Sequence, residues 1–215
     1  MFNICANCGE YHPDKIIVSS GSYAVCPNCG FKHKFIQLPL FILSGASGTG
    51  KSTINLALAD RMKEVVVIDS DILWRRELEQ PGTDLREYRE TWLRVCKNIS
   101  QSRKSVVLCG AAIPEHFEEC VERRYFSEIY YLALICDDEI LTSRLRSRPA
   151  WRGFTDELIK EHISFNRWFK DNAHKTKPPI TLLDTYLMTV NQSVEEVVRW
   201  INMNYRHSRK ATTTT

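Results

Sequence analysis

The stretch Gly45-Ala46-Ser47-Gly48-Thr49-Gly50-Lys51-Ser52-Thr53 holds the residue types and spacing that most directly imply chemistry. Its glycines permit a tight turn in which several backbone N–H groups converge on one anion. Lys51 is long enough to reach the β- and γ-phosphates of a nucleotide, and the Ser52 hydroxyl is placed to ligate Mg²⁺. A short apolar run, Leu40–Leu43, precedes the loop, and an apolar helical pattern (Ile54, Leu56, Ala57, Leu58) follows it. Strand, glycine-rich loop and helix is the order a phosphate-binding loop requires, because the helix N-terminus adds partial positive charge where the phosphates sit. Residues 45–53 therefore predict a nucleoside triphosphate site. No Asn-Lys-x-Asp follows any strand candidate, which disfavours guanine and leaves ATP as the expected nucleotide.

A second constellation lies upstream. Cys5-Ala-Asn-Cys8 and Cys26-Pro-Asn-Cys29 are two C-x2-C pairs, each followed by glycine (Gly9, Gly30). Two thiolates on one tight turn can reach a single ion, and two such turns complete a tetrahedral four-thiolate Zn²⁺ site. Short strand candidates, Lys15–Ser20, Gly21–Val25 and Phe31–Ile36, lie between and after the pairs. The pattern resembles a zinc ribbon over residues 1–37. With sulfur in all four positions no place remains for a reactive water, so the metal is expected to be structural. A segment this small also needs such a staple to hold a fold. His12 and His33 are expected to be surface residues. Cys96, Cys109, Cys120 and Cys136 share no metal spacing and are expected to be buried thiols.

The elements that must position these groups follow from periodicity. From Leu38 onward, apolar strand candidates (Leu40–Ser44, Val65–Asp69, Ser105–Cys109, Ile129–Cys136, Ile180–Asp184) alternate with helical patterns. The helix candidates are Lys51–Arg61, Glu87–Ser102, Pro114–Arg123, Asp138–Arg148, Asp156–Phe169 and Val194–Met203. Ser193 and Glu196 are spaced as a capping box for the last of them. Continuous β-branched runs separated by helices imply an α/β domain with a parallel sheet covered on both faces. The expected organisation is a ribbon at 1–37, an α/β domain at 38–205 and a disordered tail at 206–215. The formal charge of +3 among 215 residues is too near balance to argue for nucleic acid by itself. The opening MFNICANCGEYHPDK lacks the basic-then-apolar order of a signal peptide, and no apolar run is long enough to span a bilayer. A cytoplasmic location with no membrane partner is expected, and there cysteines are better metal ligands than disulfides.

The second strand candidate ends Val66-Val-Ile-Asp69-Ser-Asp71, which puts two carboxylates at the sheet edge where open α/β sheets bind ligands. Here the chain resembles the small-molecule branch of the P-loop kinases, which includes shikimate, gluconate and adenylylsulfate kinases and chloramphenicol phosphotransferase. Those families carry a similar acidic pair. The resemblance implies that Asp71 contacts the acceptor hydroxyl and orients or deprotonates it, and that Asp69 helps hold the magnesium shell. The structural alternative is that Asp69 merely caps the next segment. The third strand runs into Gly110-Ala-Ala-Ile-Pro114 without the acid that GTPases and motor ATPases place there; several small-molecule kinases use small residues at this point. Leu132–Glu139 has the composition of a Walker B strand, but Arg144-Leu145 and Arg148 match the lid R-L-x-x-R that follows the fourth strand of these kinases. Arg144 and Arg148, at i and i+4, would share a helix face and meet transition-state charge; Arg146 and Arg152 are expected to be solvated. Asp184-Thr185 resembles the ending whose following loop packs near the adenine. Trp74, Arg75, Arg76, Tyr88 and Trp92 occupy the region where such kinases insert substrate-binding helices.

The resulting expectation is an ATP- and Mg²⁺-dependent phosphotransferase. It acts on the hydroxyl of a small molecule, with a nucleoside among the candidates because of the aromatic acceptor region. The alternative is a nucleic-acid-end kinase or RNA-associated ATPase that uses the ribbon for binding, which the near-neutral charge does not favour. A non-enzymatic, nucleotide-gated interaction module is the third.

Overall fold

A computed structural model describes residues 2–18, 23–80 and 82–211. Two sheets organise it. The larger contains β4 (Leu40–Gly45), β5 (Val65–Asp69), β6 (Ser105–Cys109), β7 (Ile129–Ile135) and β8 (Thr181–Asp184) in the order β5-β6-β4-β7-β8. All neighbouring pairs in it are parallel. Every residue of β4 is buried, as expected of a central strand covered twice. Alternation sends Leu40 and Ile42 to one face, where they meet α2 (Arg86–Ser100) and α5 (Asp156–Asn172). Phe41 and Leu43 point to the other, against α1 (Lys51–Arg61) and α6 (Val190–Ala211). Full burial of each such side chain contributes roughly 1.5–3 kcal/mol, which fixes the register of the strand that carries the glycine-rich loop. This is a phosphate-loop NTPase fold with helices on both faces. Among the described residues no helix is long and apolar enough to cross a membrane.

Several boundaries differ from the sequence expectation for local reasons. The segment expected as one helix, Pro114–Arg123, splits into α3 (Pro114–Glu118) and a 3-10 turn at Val121–Tyr125. The Glu90 carboxylate on α2 accepts from Val121 N (2.6 Å) and Glu122 N (3.0 Å), satisfying the turn from outside. Helix α4 covers Asp138–Arg146 and stops short of Arg148, because Pro149 disfavours helical backbone just before it. Arg148 therefore lies in the following turn and not on the expected shared helix face. Thr189 and Gln192, not Ser193 and Glu196, form the box that starts α6: Thr189 N donates to Gln192 Oε1 (2.9 Å) and Gln192 N to Thr189 Oγ1 (3.2 Å). That helix continues through Ala211, so 206–211 are not the disordered tail expected; Arg, Lys and Ala are good helix formers, and basic residues suit a helix C-terminus. The rest of that expected tail, 212–215, lies outside the described residues.

The smaller sheet is antiparallel: β1 (Ile16–Val18), β2 (Tyr23–Val25) and β3 (Lys32–Lys34). It is too small to bury a core alone and shares one with the α/β domain. Ala24 and Phe35 pack on Tyr125, with Phe2 and Ile17 beside them. The Tyr125 hydroxyl donates to Pro13 O (2.7 Å) and accepts from Lys15 N (3.2 Å). Beneath these rings lies a buried ion pair, Lys97 Nζ to Glu122 Oε2 at 2.5 Å. Asn3 bridges it, accepting from Lys97 and donating to Glu122 Oε1 (2.7 Å), and Arg94 Nε adds a further donor to Glu122 at 3.1 Å. Burial pushes the Lys97 ammonium down to about 8 against the pull of Glu122.

Removing one member of this pair strands the other without water. Lys97→Met is expected to destabilise the fold by about 3–5 kcal/mol in urea denaturation, and the Lys97→Met/Glu122→Leu double variant by less than the single change. A double variant as unstable as the sum of both singles would show that the pair is not a coupled unit.

Candidate active site

Sheet edge and helix meet at the glycine-rich loop. β4 ends at Gly45, the loop spans residues 46–50, and α1 begins at Lys51. Gly45 has φ of 138°, and a Cβ there would lie 2.5 Å from Leu134 O on β7. Gly48, at φ 89°, leaves room for Leu141, which a Cβ would approach to 2.8 Å. Both positions thus require glycine for backbone and space. Helix α1 has no side-chain cap and no acidic residue in its first turn, so its leading N–H groups and dipole are available to an anion. The Lys51 ammonium folds back over the loop, donating to Gly45 O (2.6 Å) and Ala46 O (3.0 Å). Burial lowers its pKa, opposed by Cys109 and Asp71. Thr185, after β8, braces the loop by donating to Thr49 O at 3.2 Å. Arg144 donates to Gly48 O at 3.3 Å.

The loop floors a cavity of about 460 Å³. Residues 45–53 line it, and so do Asp69, Asp71, Arg144 and Arg148. The structure therefore gathers the sequence-predicted phosphate, acidic and lid residues around one space. Asp69 Oδ1 accepts from Asp71 N (2.9 Å), so Asp69 caps the turn Ser70–Leu73 while also lining the cavity. Burial, then the neighbouring Asp69 charge, raises the Asp71 pKa, with Lys51 and Arg152 opposing. Gly110 permits this approach: a Cβ there would fall 1.9 Å from Ser70 Oγ. Ser44 fixes the same region, its Oγ exchanging hydrogen bonds with Ala112 N (2.8 Å) and O (2.9 Å). The Arg148 guanidinium packs over the Phe154 ring at 4.9 Å.

Some placements depart from expectation. Arg146 turns away to Asp156 (3.0 Å, both exposed), as a solvated arginine should. Arg152 is exposed, as expected of a solvated arginine, but it also lines the cavity, carried there by the turn Ala150–Arg152 after Pro149. His162 and Phe165 on α5 also line it; their sequence signal is an i, i+3 spacing that core residues share. His162 is held toward its neutral form by burial, then by Lys51 and Arg148. Cys109 borders the cavity but is inert as a nucleophile, burial pushing its thiol up to about 12. Of the acceptor candidates, Trp74 and Tyr88 line a smaller adjoining cavity, whereas Trp92 is in the core and Arg75 is exposed. The Arg76 side chain lies outside the described residues.

Away from this cleft, the sulfurs of Cys5, Cys8, Cys26 and Cys29 lie within 4.8 Å of one another. The separations Cys5–Cys29 (3.6 Å) and Cys8–Cys26 (3.8 Å) match the roughly 3.8 Å edge of a tetrahedron with Zn–S of about 2.3 Å. Both turns repeat one geometry: Gly9 N donates to Cys5 O (2.9 Å) and Gly30 N to Cys26 O (3.0 Å), with φ of 76° and 72° at the glycines. The donor set fits a four-thiolate metal. His33 Nε2 lies 3.2 Å from Lys15 Nζ and stands outside this set.

A family model described as an AAA domain matches residues 42–161, more than half of the chain, and the chain belongs to that family. No curated protein matches the sequence. Among solved structures, an unliganded sugar kinase from Janibacter sp. HTCC2649 is 20% identical with a TM-score of 0.54, over 79% of this chain and 97% of that one. Shikimate kinase from Acinetobacter baumannii, in complex with shikimate, is 19% identical with a TM-score of 0.52, over 78% and 94%. A gluconokinase from Sinorhizobium meliloti 1021 is 18% identical with a TM-score of 0.53, over 79% and 97%. At these identities the likeness is one of fold.

The sulfur geometry leads to a metal prediction. Purified protein should carry about one Zn²⁺ per chain, and Cys26→Ser should lower both zinc content and melting temperature while ATP affinity changes little. Metal-free protein whose four thiols all react freely with a thiol reagent would contradict it.

Proposed function

From its membership of the AAA domain family and the layout of the cleft, we propose that this chain is an ATP-dependent kinase that phosphorylates the hydroxyl of a small molecule. The observation that carries the reading is Asp71, which lines the same cavity as the phosphate loop. Solved structures of like fold bear the names of sugar, shikimate and gluconate kinases, which supports a small-molecule acceptor.

In this reading the loop N–H groups and Lys51 bind the β- and γ-phosphates. Ser52 and Asp69, both on the cavity wall, would hold Mg²⁺, which supplies charge neutralisation between those phosphates. Asp71 accepts the hydrogen bond of the acceptor hydroxyl and takes its proton as transfer proceeds. Arg144 and Arg148 meet the charge that develops on the transferred phosphoryl oxygens. The thiolate cluster contributes no residue to the cleft lining, and in this reading it would hold a structural metal that stabilises the N-terminal sheet. A nucleic-acid end is the second acceptor class, supported by Tyr23, Lys32 and Lys34, exposed together on the ribbon sheet.

Asp71→Asn should reduce transfer by roughly 10²–10⁴ while ATP binding changes little; Arg148→Ala should slow transfer and weaken ATP binding together. Lys51→Ala should abolish turnover without unfolding the protein. Wild-type transfer by Asp71→Asn, measured as product formed, would contradict the assignment.

The pH profile gives a further check. Asp71 acts ionised and its pKa is raised, so kcat/KM should fall on acidification above the ordinary carboxylate range.

A further inference from the structure

Two lysines are buried where the ribbon meets α2, and their partners differ. Lys97 has Glu122, whose carboxylate also meets Arg94 and Asn3. Lys15 is fully buried and donates to Phe2 O and, at 3.2 Å, to His33 Nε2. Neither acceptor is an anion, and among the described residues no carboxylate pairs with Lys15. Both ammonium groups lie 5.0 Å from the centroid of the Phe2 ring, and Lys15 works against the charge on Lys97. A buried ammonium needs a counter-charge, because neutral acceptors alone do not offset its desolvation. Burial works against the Lys15 charge, and the groups that favour it are the sulfurs of Cys5, Cys26, Cys8 and Cys29. His33 links the two, since its ring also donates to the Cys5 sulfur.

Four thiols supply no such charge, and four sulfurs within 4.8 Å of one another cannot all ionise without a cation among them. Thiolates gathered on one divalent ion leave the site doubly negative. The consequence reaches the cleft through α2. Gln101, just after that helix, accepts from Ile36 N (2.9 Å) and donates to Ile36 O (3.1 Å), and Asn3 accepts from Lys97. The ribbon thus grips the C-terminal end of α2. About 13 Å back along the helix from Lys97, Tyr88 donates to Ser70 O (2.7 Å), on the residue before Asp71. We propose that Lys15 is the counter-ion that ties a metal in the four-thiolate site to the docking of the ribbon on α2. With the site metal-free, two buried ammonium groups are left with one carboxylate, and the ribbon leaves α2. With it loaded, both are balanced and α2 is clamped behind the Asp71 turn. Lys15 is a positioning residue in this account, which rests on the four-thiolate metal reading and is independent of the kinase reading.

The test compares the full-length wild type with Lys15→Met, each zinc-loaded and after chelation under reducing conditions. Zinc affinity, measured by competition with a chelator, is expected to fall about 10–100-fold in Lys15→Met, the reciprocal of the metal's hold on Lys15. Melting temperatures should diverge only in the loaded state. Lys15→Met is expected to melt below the wild type with zinc, and no lower than the wild type without it. A residue that merely packs would lower both, as Ile17→Ala in the same small core should. In the wild type, hydrogen–deuterium exchange over residues 94–101 should rise about tenfold or more on metal removal, with α1 unchanged. Equal zinc affinity in the two proteins, or a lower melting temperature for Lys15→Met in both states, would overturn the proposal and leave the metal site standing. If Lys15→Met does not fold, exchange in the wild type decides, and unchanged protection of 94–101 after metal loss overturns the coupling. Wild type that binds no zinc would sink the metal reading and the coupling with it.

Discussion

A lysine ammonium held over a turn of backbone is the constraint around which the rest of the chain is arranged. Lys51 sits 2.6 Å from Gly45 O and 3.0 Å from Ala46 O, in surroundings that disfavour its charge. That position is tolerable because the loop also aims N–H groups inward, so a polyphosphate meets both at once. Its geometry in turn dictates neighbours. Gly45 must be bare for Leu134 of β7 to pass, and Gly48 for Leu141 of α4. The flanking elements therefore dock at fixed depth, which brings Arg144 to the loop carbonyl at Gly48.

The same edge of the sheet explains why the acidic pair faces the loop. Strands β5 and β6 run parallel to β4, so the residues after all three collect at one end. Cys109 and Gly110, where other phosphate-loop proteins carry an acid, leave the space that the Ser70–Asp71 turn enters. A small residue after one strand thus positions a carboxylate after another.

The fold and the centre of the site were legible because their signals are local. Glycine spacing, apolar strand runs and the Asp69-x-Asp71 pair each act within a few residues, and β5 and β6 fall at the expected positions. What escaped depends on contacts distant in sequence. The Glu90 carboxylate, inside one helix, accepts from the leading N–H groups of a 3-10 turn thirty-odd residues later. Lys97 and Glu122 read as ordinary charged positions in helical patterns, yet the ribbon buries them both. Arg152 is solvated as expected, but its place on the cleft lining depends on the turn after Pro149, which no local pattern announces. The capping box at Thr189 and Gln192 was hidden in the sequence because Ser193 and Glu196, one turn on, satisfy the same spacing rule without forming the box. The ribbon's reliance on Tyr125 had no sequence signature, because an aromatic in an apolar stretch reads as core of its own domain.

The central claim is that the cleft transfers the γ-phosphoryl group of ATP to an alcohol oxygen. Phosphorus NMR of the full chain with ATP, Mg²⁺ and a mixture of small hydroxylated compounds tests this most directly. The account predicts that the γ-phosphate signal is replaced by that of a phosphate monoester as ADP accumulates. Unchanged ATP, or release of inorganic phosphate alone with every alcohol in the mixture, would contradict it.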